Sequence, residues 1–188
     1  ASDVYKRQGI SLLARLISTK IVAVYLGTNG MFLLGQLKDF LRLGNTISSF
    51  GIENGIVKYV AEFEEQKENL SNIIGTSFRI NIISAFFVSL VILVFKNQIS
   101  TFLQIDFDKN FYFFLLIISV ISASIHTCFL SIYNGLNRIK LFVIVNIISN
   151  IVSAIILVLF VLKMQIIGAF YALVINQILS LIINIIFY

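Results

Sequence analysis

The chain of 188 residues has no proline, no tryptophan, one cysteine and one histidine. A single thiol, Cys128, can form neither a disulfide framework nor a cysteine-based metal site, and it reads as a small core residue. Charge is also scarce: 12% of residues are Asp, Glu, Lys or Arg, against 59% apolar. The formal net charge of +5 sits mainly in loops and in the first two apolar runs. It forms no basic face interleaved with exposed aromatics, so no nucleic-acid partner is expected. There is no P-loop, HExxH, nucleophile elbow or CxxC pair. The sequence therefore carries no sign of an enzyme, of an ATP-driven pump or of a cofactor.

What is abundant is apolar length. Runs of about 20 apolar residues recur from one end to the other, which a soluble domain of this size would not repeat. The expectation is an all-α, polytopic membrane protein with about six transmembrane helices. The first covers Gly9 to Leu26 and the second Met31 to Ile52, joined by Gly27-Thr28-Asn29-Gly30. A polar, amphipathic and interfacial stretch follows from Glu53 to Asn72. The later spans run from Ile73 to Phe95, Phe111 to Tyr133, Leu141 to Leu162, and from beyond Gln165 to the end. The missing proline is unusual here, because helices inside membranes tolerate it. The first eight residues, ASDVYKRQ, do not continue the pattern and read as non-native; residues 9–188 form the expected six-helix unit. The chain stops inside an apolar run, as expected of a piece of a longer protein. Lys58, Lys67, Arg79, Arg138 and Lys140 on one side outnumber Lys96, Lys109 and Lys163 on the other. Cytoplasmic loops carry the excess of Lys and Arg, so the N-terminus is expected inside.

The second span is the one that carries chemistry. At 100° per residue, Gly35, Lys38, Asp39, Arg42, Asn45, Thr46 and Ser49 fall on one arc of roughly 120°. Each charge at bilayer depth costs about 2.5 to 3.5 kcal/mol on insertion scales. Three on a lipid-facing stripe would be prohibitive, so the arc must face water, a partner helix or an anionic cargo. Lys38 and Arg42 are four residues apart, a like-charge repulsion that a helix does not choose for stability, and Asp39 is placed to relieve it. A lysine point charge beside an arginine fork suits a phosphate or an acidic sugar. The plainer reading is a buried charge cluster that locks helix packing. Arg15 and Lys20 of the first span either line the same cavity or snorkel to opposite headgroup layers.

Other polar residues have bland readings. Glu62, Glu64, Glu65 and Glu68 form a solvated acidic face with no histidine near them, so no metal site is expected. Ser119, Ser122, Ala123 and His126 make one row at helical spacing. Asn146, Ser149, Asn150 and Ser153 make a second, and Asn176, Ser180 and Asn184 a third. Small and amide side chains let membrane helices approach and hydrogen-bond. His126 is either a proton carrier near neutral pH or an interhelical hydrogen-bond partner.

Residue order adds a resemblance. Lys20-x-x-Ala23-x-x-x-Gly27-x-x-Gly30, Gln36, Gly51-x-x-Asn54-Gly55-x-x-Lys58-Tyr59-x-Ala61-Glu62 and Gly75-Thr76-Ser77 resemble the N-terminal region of Wzx-type lipid-linked oligosaccharide flippases. These export O-antigen and enterobacterial common antigen units and belong to the MOP superfamily, with the MATE exporters and the lipid II flippase. Gly135 to Lys140 is similar to that family's loop after the fourth span. The family's first outer loop usually reads Gly-Pro-x-Gly, and here Thr28 stands in place of the proline. The resemblance implies the N-terminal lobe of a two-lobe transporter with a basic central cavity, in a bacterial inner membrane. Lys20 and Lys38 match positions usually basic in the enterobacterial-common-antigen type. Arg15, Asp39, Arg42 and Asn45 come from the helical wheel instead. The implied cargo is an undecaprenyl-diphosphate-linked oligosaccharide moved by alternating access, with polysaccharide polymerase or chain-length proteins as further partners. Two alternatives stand beside it: an ion-coupled multidrug exporter of the MATE kind, and a non-transporting membrane subunit of a glycan assembly complex.

Overall fold

Backbone N–H and C=O groups cannot be left bare in hydrocarbon, and this chain satisfies them inside helices. The computed structural model describes residues 2–49, 51–105 and 108–187, with side chains from residue 16 onward. The helices are α1 (Ser2–Ser48), α2 (Glu53–Glu62), α3 (Lys67–Val94), α4 (Lys96–Phe102), α5 (Lys109–Gly135) and α6 (Ile139–Phe187). Among the described residues, four helical stretches are long and apolar enough to cross a membrane.

Two of the four are of double length. Unbroken, the 47 residues of α1 or the 49 of α6 would run for roughly 70 Å, more than twice a hydrocarbon core of about 30 Å. Each is broken at one residue: Gly27 (φ 64°, ψ −170°) in α1 and Gln165 (φ 49°, ψ −127°) in α6. Positive φ is the region that glycine enters freely, so Gly27 suits its place, whereas Gln165 enters it with a β-carbon. The break in α6 reverses the chain. A β-carbon on Gly168 would lie 2.0 Å from the carbonyl oxygen of Phe160. Eight residues along a straight helix would separate those groups by about 12 Å. The expected apolar runs fall within α1, α3, α5 and α6. The boundaries moved in two places. Helix α3 starts at Lys67, inside the stretch expected to be interfacial, and α4 occupies what had read as a connection.

The packing is inverted relative to a water-soluble bundle. On α3 the bulky Ile83, Phe86, Phe87 and Val94 point outward, while Ser77, Asn81, Ser84, Ala85 and Ser89 point inward. Outward apolar bulk on this scale requires an apolar surrounding, and inward small residues let helices approach. This is a multi-pass membrane protein. Buried hydroxyls bond within their own helix, as Ser89 Oγ does to the Ala85 carbonyl at 2.7 Å. Others tie helices together. Ser124 Oγ on α5 donates to Asn81 Oδ1 on α3 at 3.0 Å.

Asn184 on α6 meets His126 on α5 twice, with Nδ2 3.2 Å from the backbone carbonyl and 2.6 Å from ring Nδ1. A carbonyl only accepts, so the facing atom is the amide nitrogen, and Nδ1 of His126 must accept as well. His126 is thus an interhelical hydrogen-bond partner in its neutral, Nε2-protonated form. Cys128 packs with Ile56 and Val60 of α2 and Ile132 of α5. The main core joins Leu33, Leu37 and Leu41 of α1 to α3, α5 and α6 through Ile92, Tyr112, Leu116, Phe170 and Val174.

The reversal at Gln165 makes Gly168 the least replaceable residue of this hairpin. Gly168→Ala should cost about 1–3 kcal/mol, because a backbone carbonyl must move. Asn184→Leu, which removes one interhelical partner, should cost less, about 0.6–1.7 kcal/mol. Thermal melts of the detergent-solubilised protein, followed by size-exclusion chromatography, check both. A Gly168→Ala variant as stable as the parent would contradict the reversal.

Candidate functional site

Residues 28–48 of α1 divide their circumference among three environments. Leu33, Leu34, Leu37 and Leu41 are buried and turn to the cores. Phe32, Leu43 and Ile47 are exposed on the far side, where hydrocarbon would meet them. Between these faces lie Lys38, Arg42, Asn45 and Thr46, spaced so that all share one side of the helix. They line, with Leu41, one wall of a cavity of about 240 Å³. The other wall is Leu173, Asn176 and Gln177, the matching one-turn spacing on α6.

The chemistry of this lining is one-sided. Lys38 and Arg42 are donor-only groups, and no aspartate or glutamate lines the cavity with them. Thr46 Oγ1 donates to the Arg42 carbonyl at 3.0 Å, within its own helix. The side-chain oxygens Asn45 Oδ1 and Asn176 Oδ1 are buried and have no hydrogen-bond partner. Two cations stand on one wall, with no acidic residue in the lining. Among the described residues, no group of three His, Cys, Asp or Glu comes together as a metal site would need.

The structure brings together three of the residues expected to act: Lys38, Arg42 and Asn45. Asp39 is exposed but does not line the cavity, because one residue along the helix turns it about 100° away, towards Phe32 and Leu43. Lys20 is exposed and also lies outside the cavity lining. Arg15 falls outside the residues whose side chains are described. The wheel could not supply Asn176 and Gln177, which a second helix contributes. Asn176 belonged to a row with Ser180 and Asn184 that read as packing, and that row divides. Ser180 and Asn184 are buried among helices, whereas Asn176 opens on the cavity.

A larger space of about 500 Å³ lies between α2 and α3, lined by Ile52, Ile56, Tyr59, Ile73, Ile80 and neighbouring small residues. It contains no charged side chain, so its size does not make it the chemical site.

The family model described as polysaccharide biosynthesis protein matches residues 7–188. A stretch of 68 residues, 36% of this chain, is 29% identical to the lipid III flippase of Escherichia coli (strain K12). The lipid III flippase of Shigella flexneri matches to the same extent. The matched stretch spans 16% of the length of each of these relatives. No solved structure matches the chain.

If water fills the basic cavity, Thr46→Cys and Gln177→Cys should react with a charged, membrane-impermeant maleimide. Leu37→Cys, in the core, and Phe87→Cys, on the hydrocarbon side, should not. The native Cys128 is 1% exposed and supplies little background. Equal labelling at Phe87 and Thr46 would contradict the division of faces.

Proposed function

The chain belongs to the polysaccharide biosynthesis protein family, and from that premise we propose that it flips an undecaprenyl-diphosphate-linked oligosaccharide across the bacterial inner membrane. The observation that carries this reading is the cavity in which Lys38 and Arg42 stand on one wall, on a helix otherwise divided between core and hydrocarbon. A diphosphate has the acceptor oxygens those two groups require. The arginine fork takes two oxygens at once and the lysine neutralises charge without fixing orientation. A headgroup held this way stays out of hydrocarbon while its lipid tail remains in the bilayer.

The mechanism is alternating access. Six helices form an N-terminal lobe that rocks against a second lobe, exposing the cavity first to the cytoplasm and then to the outer leaflet. The N-terminus lies in the cytoplasm. Lys20 and Asp39 lie outside this lining, so the headgroup contacts proposed are those of Lys38 and Arg42. A membrane potential contributes about 2.3 kcal/mol per charge per 100 mV, enough for ion coupling to drive the cycle. Polysaccharide polymerase or chain-length proteins receive the flipped cargo. The lipid III flippases matched by 68 residues support a lipid-linked cargo. An ion-coupled multidrug exporter would call for acidic residues where the lining has only basic and neutral ones.

Neutralising the charges tests the reading. Lys38→Gln and Arg42→Gln, in the whole protein, each remove one charge-assisted contact worth about 1.5–3 kcal/mol. Each should cut cargo export at least tenfold, and the pair should abolish it, with membrane expression unchanged. Normal surface glycan in the double variant refutes the assignment.

A further inference from the structure

The larger space, between α2 and α3, shares no lining residue with the cavity between α1 and α6. Its walls are two stripes at one-turn spacing: Ile52, Gly55 and Tyr59 on one side, Asn72, Thr76 and Ile80 on the other. At about 500 Å³ it falls within the roughly 300–1,000 Å³ of sites that enclose a ligand. Tyr59 is 49% exposed and Ile80 39%, so it is a groove open along its side.

The stripe on α3 continues past the groove. Ile83 and Phe87, at the next turns of the same side, are exposed towards hydrocarbon. The groove therefore runs into the surface that lipid covers, and an acyl chain can lie along it without leaving the bilayer. From Asn72 to Ile80 a helix rises about 12 Å, close to half of a hydrocarbon core of about 30 Å. That is the depth of one leaflet.

The opposite end is polar and charged. Tyr59 and Asn72 lie nearest the turn that joins α2 to α3. Tyrosine is a residue of membrane–water interfaces. The ammonium of Lys58 stands 5.4 Å from the Tyr59 ring centroid, beside the mouth of the groove. Arg79, exposed one turn along from Thr76, adds a cation on the flank. Glu62, one turn beyond Lys58, and Glu68, one turn before Asn72, are exposed at the same end. Residues 58–68 together carry four glutamates and two lysines. A headgroup of net negative charge would meet that acidic surround, whereas one with both a phosphate and an ammonium has a partner for each sign.

We propose that this groove holds one phospholipid with an amine headgroup. An acyl chain lies between α2 and α3, Lys58 and Asn72 hold the phosphate, and Glu62 and Glu68 take the ammonium. The site is separate from the cargo's and does not depend on what the cargo is. A lipid held here lies against α2 and α3 at once, joining the amphipathic helix to the membrane span that follows it.

Native mass spectrometry of the detergent-solubilised whole protein tests this. The probes are phosphatidylethanolamine, phosphatidylglycerol with identical acyl chains, and undecaprenyl phosphate. The parent should bind one phosphatidylethanolamine about two- to fivefold more tightly than phosphatidylglycerol, the range of exposed ion pairs. A β-carbon at Gly55 meets nothing within 4 Å, so Gly55→Phe places its ring in free space and fills the groove. It should weaken both phospholipids at least about tenfold, the effect of excluding roughly two methylene groups. Ile80→Trp, which fills the groove from the other wall, should do the same. Glu62→Lys combined with Glu68→Lys should turn the preference towards phosphatidylglycerol. Equal binding of the two phospholipids by the parent overturns the proposal, and so does unchanged binding in both groove-filling variants. Displacement of phosphatidylethanolamine by undecaprenyl phosphate also overturns it, and assigns the groove to the cargo's tail.

Discussion

Hydrocarbon cannot solvate an ionised side chain, and the arrangement of helix α1 answers to that constraint. Lys38 and Arg42 lie one turn apart on a segment whose other faces are leucine against the core and phenylalanine, leucine and isoleucine outward. Had that face turned to lipid, each charge would cost about 2.5 to 3.5 kcal/mol, with a like-charge repulsion added at this spacing. The segment instead packs so that α6 stands across from the charges, bringing Asn176 and Gln177 opposite. The core contacts of Leu33, Leu37 and Leu41 set the rotation of the helix. That rotation decides which residues share the cavity.

The same constraint governs the rest of the bundle. The inward face of α3 is small and hydroxylated, and its hydroxyls bond within the helix, while Asn81 accepts from Ser124 of α5. Where the chain must turn it does so abruptly, at Gly27 and Gln165, so that little irregular backbone is left. The cavity lies between α1 and α6.

Much of the architecture was legible in the sequence because apolar runs of membrane-spanning length have few other uses. The helical wheel put Lys38, Arg42 and Asn45 on one side, and the three line one cavity, since residues at i, i+4 and i+7 share a side whatever surrounds the helix. It could not separate Asp39, because an arc of roughly 120° was too coarse to tell cavity from exposed flank. Nor could it find Asn176 and Gln177, whose part depends on how α6 folds back at Gln165. A glutamine at positive φ carries no sequence signal of its own. The polar row of Asn176, Ser180 and Asn184 had one reading in the sequence and two in space. Its far end bonds His126, and its near end faces the charges. The short α4 and the early start of α3 were hidden by polar composition, which suits an interfacial helix as well as a loop.

The central claim is that the cargo's headgroup sits between α1 and α6. The most direct measurement places a photo-crosslinking amino acid at Thr46 in the whole protein, in cells that make the lipid-linked glycan, and identifies the adducts by mass spectrometry. The account predicts a crosslink to the diphosphate-linked glycan lipid that disappears when glycan synthesis is blocked. Adducts to phospholipid acyl chains alone, unchanged by that block, would contradict it.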